Sequence, residues 1–359
     1  LIMLLFTDDG ERAKAMGVFG FVMAGGGTIG VLMGGLLTDL LTWHWVFLIN
    51  IPVGAVIVPL CLALVPDDYA GGKNQKLDVS GAITVTLSLL LAVYAIVDGN
   101  EAGWGSLQTV GLLVAAAGLM ALFLIIELKV SHPLMPLGLF RLRNLTVANI
   151  AGVLWAAAMF AWFFLSALYL QLVLNYTPME VGLAFLPGNL IMGAFSLGLS
   201  ARLVTRFGIR GPLAVGLLLA AAGLALFARA PVDGTFWIDV MPGMTLLGLG
   251  AGIAFNPILL AAMNDVGPSE SGLASGVVNT SFMMGGALGL AILASLSAAR
   301  TTGALAVGAP MPVALNEGYQ LAFLVGAVCA AAAGALAFLL RPPPSSTEPA
   351  ATPLAAEAE

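Results

Sequence analysis

Along most of the chain, apolar residues run for about twenty positions before a charge, a Pro/Gly cluster or a polar stretch interrupts them. After a short apolar opening, LIMLLF (Leu1–Phe6), come ten such segments, at about 15–37, 46–65, 79–97, 108–127, 146–170, 181–201, 212–228, 240–263, 273–295 and 319–340. A bilayer core takes about 20 apolar residues as a helix, and only helices or closed barrels satisfy their backbone groups there. None of the segments alternates with the period of two that a barrel strand needs. The pattern therefore predicts an all-α integral membrane protein with about ten complete transmembrane helices. LIMLLF is too short to span and lacks the initiator methionine and basic stretch of a signal peptide. It reads as the last turns of a helix, and the chain as a C-terminal fragment of a longer protein.

Composition agrees with the pattern. The 359 residues are 60% hydrophobic and 9% charged, against about 25% charged in a soluble domain, and mean hydropathy is +1.03. Charge adds orientation. If the helices alternate in direction, Arg12, Lys14, Lys73, Lys76, Lys129, Arg141, Arg143, Arg202, Arg206, Arg210 and Arg341 fall on one side, and only Arg229 and Arg300 on the other. That asymmetry obeys the positive-inside rule. It places the Pro-rich tail, 341–359, in the cytoplasm, where its composition predicts disorder. The net charge of −6 comes from scattered acids and points to no basic partner or nucleic acid. Cys61 and Cys329 both lie inside apolar runs, without metal or disulfide spacing.

The stretch GGGTIGVLMGG (Gly25–Gly35) puts glycine at six of eleven positions, although in water each costs a helix roughly 0.8–1 kcal/mol relative to alanine. In a membrane, close packing of small residues drives helix association instead. Gly26, Gly30 and Gly34, spaced i, i+4, i+8, make a flat stripe on one face. The stripe fits either a static packing groove or a helix pair that slides or bends.

Together with its neighbouring motifs, the stripe resembles the major facilitator superfamily, and within it the fourteen-helix drug:proton antiporters. GGTIGVLMGG (Gly26–Gly35) is similar to that family's antiporter motif G-x-x-x-G-P-x-x-G-G, with Gly26, Gly30, Gly34 and Gly35 in place and Val31 where proline is usual. WHWVFLINIPVG (Trp43–Gly54) is similar to W-R-W-x-F-x-I-N-x-P-x-G, with His44 for arginine. ERAKAMGVFG (Glu11–Gly20) resembles the entry to helix five, and HPLMPLGLFRLRN (His132–Asn144) the opening of the second half. ARLVTRFGIR (Ala201–Arg210) resembles a degenerate G-x-L-x-D-R-x-G-R-R loop, and GLASGVVNTSFMMGGALG (Gly272–Gly289) the penultimate helix.

The resemblance implies helices five to fourteen of a major facilitator bundle. Residues 1–65 would hold the end of helix four plus helices five and six; 66–145 the extra helix pair with its linkers; 146–340 the six-helix C-terminal half; and 341–359 the tail. It also implies efflux of lipophilic or amphipathic drugs or natural products across the cytoplasmic membrane, driven by protons, by a monomer needing no cofactor or metal. Arg202, Arg206 and Arg210 would then dock at a cytoplasmic gate, although plain positive-inside anchoring explains them equally.

Proton coupling needs a titratable group in the membrane, where a charge costs at least about 2.5–3.5 kcal/mol. No segment carries one near its centre: Asp39, Asp98, Glu127 and Asp239 all fall at segment ends. The family's key charged groups sit on its first and fourth helices. For substrate, Trp155, Met159, Trp162, Ser166 and Tyr169 recur on one helical face. Aromatic and Met surfaces suit flat or cationic lipophiles, and they equally suit helix packing. Asn189, Asn256 beside Pro257, and Asn279 with Thr280 and Ser281 are the polar groups left in the second half. Interhelical hydrogen bonds suit them all, and Asn256 is the best placed for substrate. Two rivals stand beside the exporter: a truncated, transport-incompetent or accessory protein, and a polytopic membrane enzyme. Asp67 and Asp68 invite the enzyme, but no D-x-x-x-D recurs to hold metal and diphosphate.

Overall fold

The computed structural model describes residues 26, 29, 30, 32–64, 78–130, 133–267 and 270–341. The opening LIMLLF, most of segment 15–37, Asp67, Asp68 and the tail beyond Arg341 lie outside them. The described residues are predominantly helical, with no strand among them. Residues 32–40 form α1; next come α2 (His44–Leu48) and α3 (Asn50–Leu64), then the hairpin α4 (Val79–Ala102) and α5 (Leu107–Lys129). A 3-10 turn, Leu137–Arg141, leads into α6 (Arg143–Leu168), α7 (Pro178–Ala194), α8 (Ser200–Phe207), α9 (Arg210–Phe227), α10 (Met241–Met263), α11 (Ser271–Ala306) and α12 (Met311–Leu336). Eight of the helical stretches among the described residues are long and apolar enough to cross a membrane.

Local chemistry starts these helices. Asp78 accepts the Gly81 N–H at 2.8 Å, and Ser106 the Thr109 N–H at 3.1 Å, each satisfying a first-turn donor. Thr177 and Glu180 form a reciprocal capping box with Pro178 in the first turn of α7. Further along, Gly208 takes φ +72° and lets the chain turn from α8 into α9.

Two helices exceed their apolar segments. Segment 273–295 stops short of Arg300, yet α11 runs to Ala306, because Arg300 pairs with Glu317 of α12 at 2.8 Å. Segment 319–340 begins late for a similar reason: α12 starts at Met311, and its polar first turns find partners. Asn316 Nδ2 donates to the Ala230 carbonyl at 3.1 Å, and Gly318 lies against Ser297 and Thr301.

Helices α6, α7 and α9–α12 share one core, built from Trp155, Trp162 and Tyr169 of α6 and its extension, Leu217 and Phe227 of α9, Met244 of α10 and Phe323 of α12. Glycines set the crossings. A Cβ at Gly216 would lie 2.8 Å from the Gly250 carbonyl oxygen, and one at Gly223 2.9 Å from that of Gly243, so α9 and α10 touch backbone to backbone. Gly248 of α10 meets the Gly188 backbone of α7, and Gly289 of α11 meets Ala157 of α6, with no room for a side chain. This is the small-residue packing expected in a membrane, at positions other than the opening stripe. A Cβ on Gly26, Gly30 or Gly34 would meet nothing within 4 Å among the described residues, whereas one on Gly35 would lie 2.6 Å from the Pro178 carbonyl oxygen. Of the four motif glycines, Gly35 is thus the one seated on another described helix.

The α4–α5 hairpin, closed by a buried 2.8 Å bond from Ser88 Oγ to the Ala116 carbonyl, docks on α11. Asn100 Nδ2 makes that joint, donating to Ser295 at both its carbonyl oxygen (2.9 Å) and its Oγ (2.8 Å).

Candidate substrate-binding site

The expected aromatic face splits in two. Trp155, Trp162 and Tyr169 are fully buried in the core, and the Tyr169 hydroxyl donates to the Pro231 carbonyl at 2.8 Å. Ser166 is buried beside them. Met159 sits apart, on the wall of an open cavity of about 510 Å³. Helix geometry explains the split: at 100° per residue, Met159 lies about 40° to one side of Trp155 and Tyr169 about 40° to the other. Alanines 148, 151 and 158 alternate with the tryptophans, so the two indoles sink between neighbouring helices. In this arrangement the three large aromatics are enclosed by the described residues, and Met159 of the same face borders open space.

The cavity is framed by Met159, Phe160, Phe163, Phe164 and Ala167 of α6, Val181 and Phe185 of α7, and Leu290 of α11. Phe163 and Phe185, both in its lining, stack on each other, their ring centroids 5.5 Å apart and their planes 13° from parallel. Edge-to-face contacts extend the aromatic surface from Phe160 to Phe282 (6.3 Å) and on to Phe255 of α10 (6.3 Å). Every lining residue is apolar, so the pocket offers area and π-faces but no fixed charge.

Asn256 sits next to Phe255 and is half-buried; its Nδ2 donates to the Ser196 carbonyl at 3.2 Å, tying α10 to the helical stretch after α7. Pro257 interrupts the ladder one residue later. Asn189 is buried, and its Oδ1 has no partner among the described residues. Asn279 and Thr280 are exposed on α11, and Ser281 borders a second cavity of about 390 Å³ between α6, α11 and α12. Arg202 and Arg206 are exposed, Arg210 is half-buried, and no ion pair joins them to another side chain among the described residues.

Sequence reasoning misses Phe160, Phe163, Phe164 and Phe185. The signal is available, since MFAWFFL (Met159–Leu165) places aromatics on both sides of its helix. Glu127, at a segment end by pattern, is buried by the structure beside Asp78. Both carboxylates turn toward Gly81, and Asp78 Oδ2 and Glu127 Oε1 have no hydrogen-bond partner among the described residues.

A bundle with eight apolar helices of membrane-crossing length among the described residues defines a multi-pass membrane protein. Residues 1–290 match the Major Facilitator Superfamily, and the chain belongs to that superfamily, one of transporters rather than enzymes. It is 37% identical over 334 residues to the puromycin resistance protein of Streptomyces alboniger, covering 91% of this chain and 66% of that protein. Similarity also extends to the multidrug resistance protein Stp of Mycobacterium tuberculosis, 33% identical with 83% of this chain and 55% of that protein covered. The lincomycin resistance protein of Streptomyces lincolnensis is 36% identical, with 80% and 58% covered. The chain thus spans between 55% and 66% of the length of these three relatives.

Proposed function

We propose that the natural protein containing this chain exports lipophilic or amphipathic drugs or natural products across the cytoplasmic membrane, in exchange for protons. The observation that carries this reading is the apolar cavity of about 510 Å³ walled by Met159, Phe160, Phe163 and Phe185. Its volume falls within the roughly 300–1,000 Å³ of small-molecule pockets, and stacking on its rings suits flat or cationic lipophiles. The resistance names of the three relatives support the substrate class. Asn256, close to the aromatic surface through Phe255, supplies the polar contact that orients substrate.

In this reading Trp155, Trp162 and Tyr169 hold the wall from behind, while Met159 and its phenylalanine neighbours touch substrate. Arg202, Arg206 and Arg210 sit at the cytoplasmic gate, and the face of Gly26, Gly30 and Gly34 receives a helix outside the described residues. Residues 1–65 complete the first half, 66–145 form the extra pair, and 146–340 form the second half, the protein working as a monomer. The proton carrier belongs to helices beyond this chain, since no segment holds a titratable residue near its centre. A transport-incompetent chain is the second reading, favoured by the same lack.

Efflux of a fluorescent lipophilic cation from a pump-deficient host tests both. Cells with the natural full-length protein should extrude the dye until a protonophore collapses the gradient, and cells with this chain alone should not. Protonophore-insensitive efflux would sink the coupling, and efflux by the chain alone would refute the second reading.

A further inference from the structure

Arg229 and Arg300, the only Lys or Arg residues at the end of the bundle that is poor in basic charge, line the same cavity, of about 460 Å³, from separate parts of the chain. Arg229 lies just past α9, Arg300 near the end of α11, and Glu317 and Gln320 come from the first turns of α12. Two of these polar groups are already engaged. Glu317 Oε2 holds one edge of the Arg300 guanidinium at 2.8 Å, and Gln320 Nε2 donates to the Ala230 carbonyl at 2.8 Å. Arg229 is exposed and forms no ion pair among the described residues. Two cations against one carboxylate leave the cavity one positive charge in excess.

The floor of the cavity is apolar. Ala225, Leu321 and Leu324 line it, and exposed Leu218, Leu324 and Val328 continue down α9 and α12 away from the charges. These two helices pack chiefly on one another and on α6, α10 and α11, leaving their outer faces open. A positive cleft at the membrane boundary above an open apolar strip has the polarity of a phospholipid: a headgroup first, acyl chains beneath it. A free inorganic anion would use the guanidiniums and leave the strip bare.

We propose that this cleft binds one anionic phospholipid, its phosphodiester held by Arg229 and the free edge of Arg300 and an acyl chain lying along Leu324 and Val328. With the C-terminus in the cytoplasm the leaflet is the outer one; the site itself does not depend on that orientation.

The test uses the natural full-length protein, purified in detergent, with lipid retention read by native mass spectrometry. Phosphatidylglycerol should be retained over phosphatidylcholine. Arg229→Gln should lower phosphatidylglycerol retention about five-fold, the size expected for one cation beside an anionic headgroup. Glu317→Gln, which removes the competing carboxylate, should raise it, an opposite sign that misfolding would not produce. Equal retention of the two lipids, or an Arg229→Gln protein that keeps its phosphatidylglycerol, would overturn the proposal. Displacement of the lipid by millimolar inorganic phosphate would also overturn it, by reassigning the cleft to a free anion.

Discussion

Phe163 of α6 stacks on Phe185 of α7 with centroids 5.5 Å apart, and Trp162 approaches it at 4.3 Å. The pair joins the core to the cavity: Trp162 is fully buried, while Phe163 is half-buried on the cavity wall.

Neighbouring aromatics should therefore answer mutation differently. Phe163→Ala should weaken recognition of flat lipophilic cations by roughly 0.5–2 kcal/mol, unevenly across substrates, at near-normal abundance. Trp162→Ala, which opens a void in the core, should cost about 3–5 kcal/mol of stability and reduce efflux of all substrates in step with protein amount. Efflux of several unrelated compounds, normalised to protein in the membrane, separates the two. A uniform loss in Phe163→Ala would return that residue to packing.

Close backbone crossings make a second expectation. Gly248→Leu drives a side chain into the Gly188 backbone, so folded protein should fall sharply, as seen by size-exclusion of a fluorescent fusion. Gly30→Leu has open space among the described residues; in the full-length protein it should insert normally and lose transport. Unchanged efflux there would mean that the glycine stripe faces lipid.

The joint between Asn100 and Ser295 can be measured by a double-mutant cycle. Interhelical hydrogen bonds in membranes contribute about 0.6 kcal/mol on average, so Asn100→Ala and Ser295→Ala should each destabilise modestly. Their combined effect should be less than additive. Full additivity would show that the Ser295 Oγ adds nothing to the joint beyond the Asn100 bond to the Ser295 carbonyl, which Ser295→Ala leaves in place.

Orientation rests on the basic residues. A reporter fused after Glu359 should be cytoplasmic, with activity typical of that side in a paired phosphatase and fluorescent-protein assay. Activity typical of the outer side would reverse the assignment of every loop.

That the chain is a helical membrane bundle of the major facilitator superfamily was legible in the sequence alone. Hydrophobic run length is a local property that bilayer thickness converts directly into spans, and the motifs around Gly26–Gly35 and Trp43–Gly54 are contiguous. Helix ends are less legible: segment 181–201 and the loop expected at Ala201–Arg210 give way to α8, which runs to Phe207 before Gly208 turns the chain. They are misjudged where a charge finds a partner on another helix, as Arg300 does in Glu317. The tertiary structure alone decided which side of a uniformly apolar helix meets a neighbour. Segment 146–170 carries aromatics around its circumference, so periodicity could not choose between Trp155–Trp162 and Phe160–Phe163. That choice rested on Ala157 meeting Gly289 and Gly188 meeting Gly248, because the smallest residues fix where backbones approach and so which aromatics are enclosed. It is likewise the packing of α9, α11 and α12 that brings Arg229 to the same cleft as Arg300, since two cations from separate parts of the chain share a site only once the helices are placed.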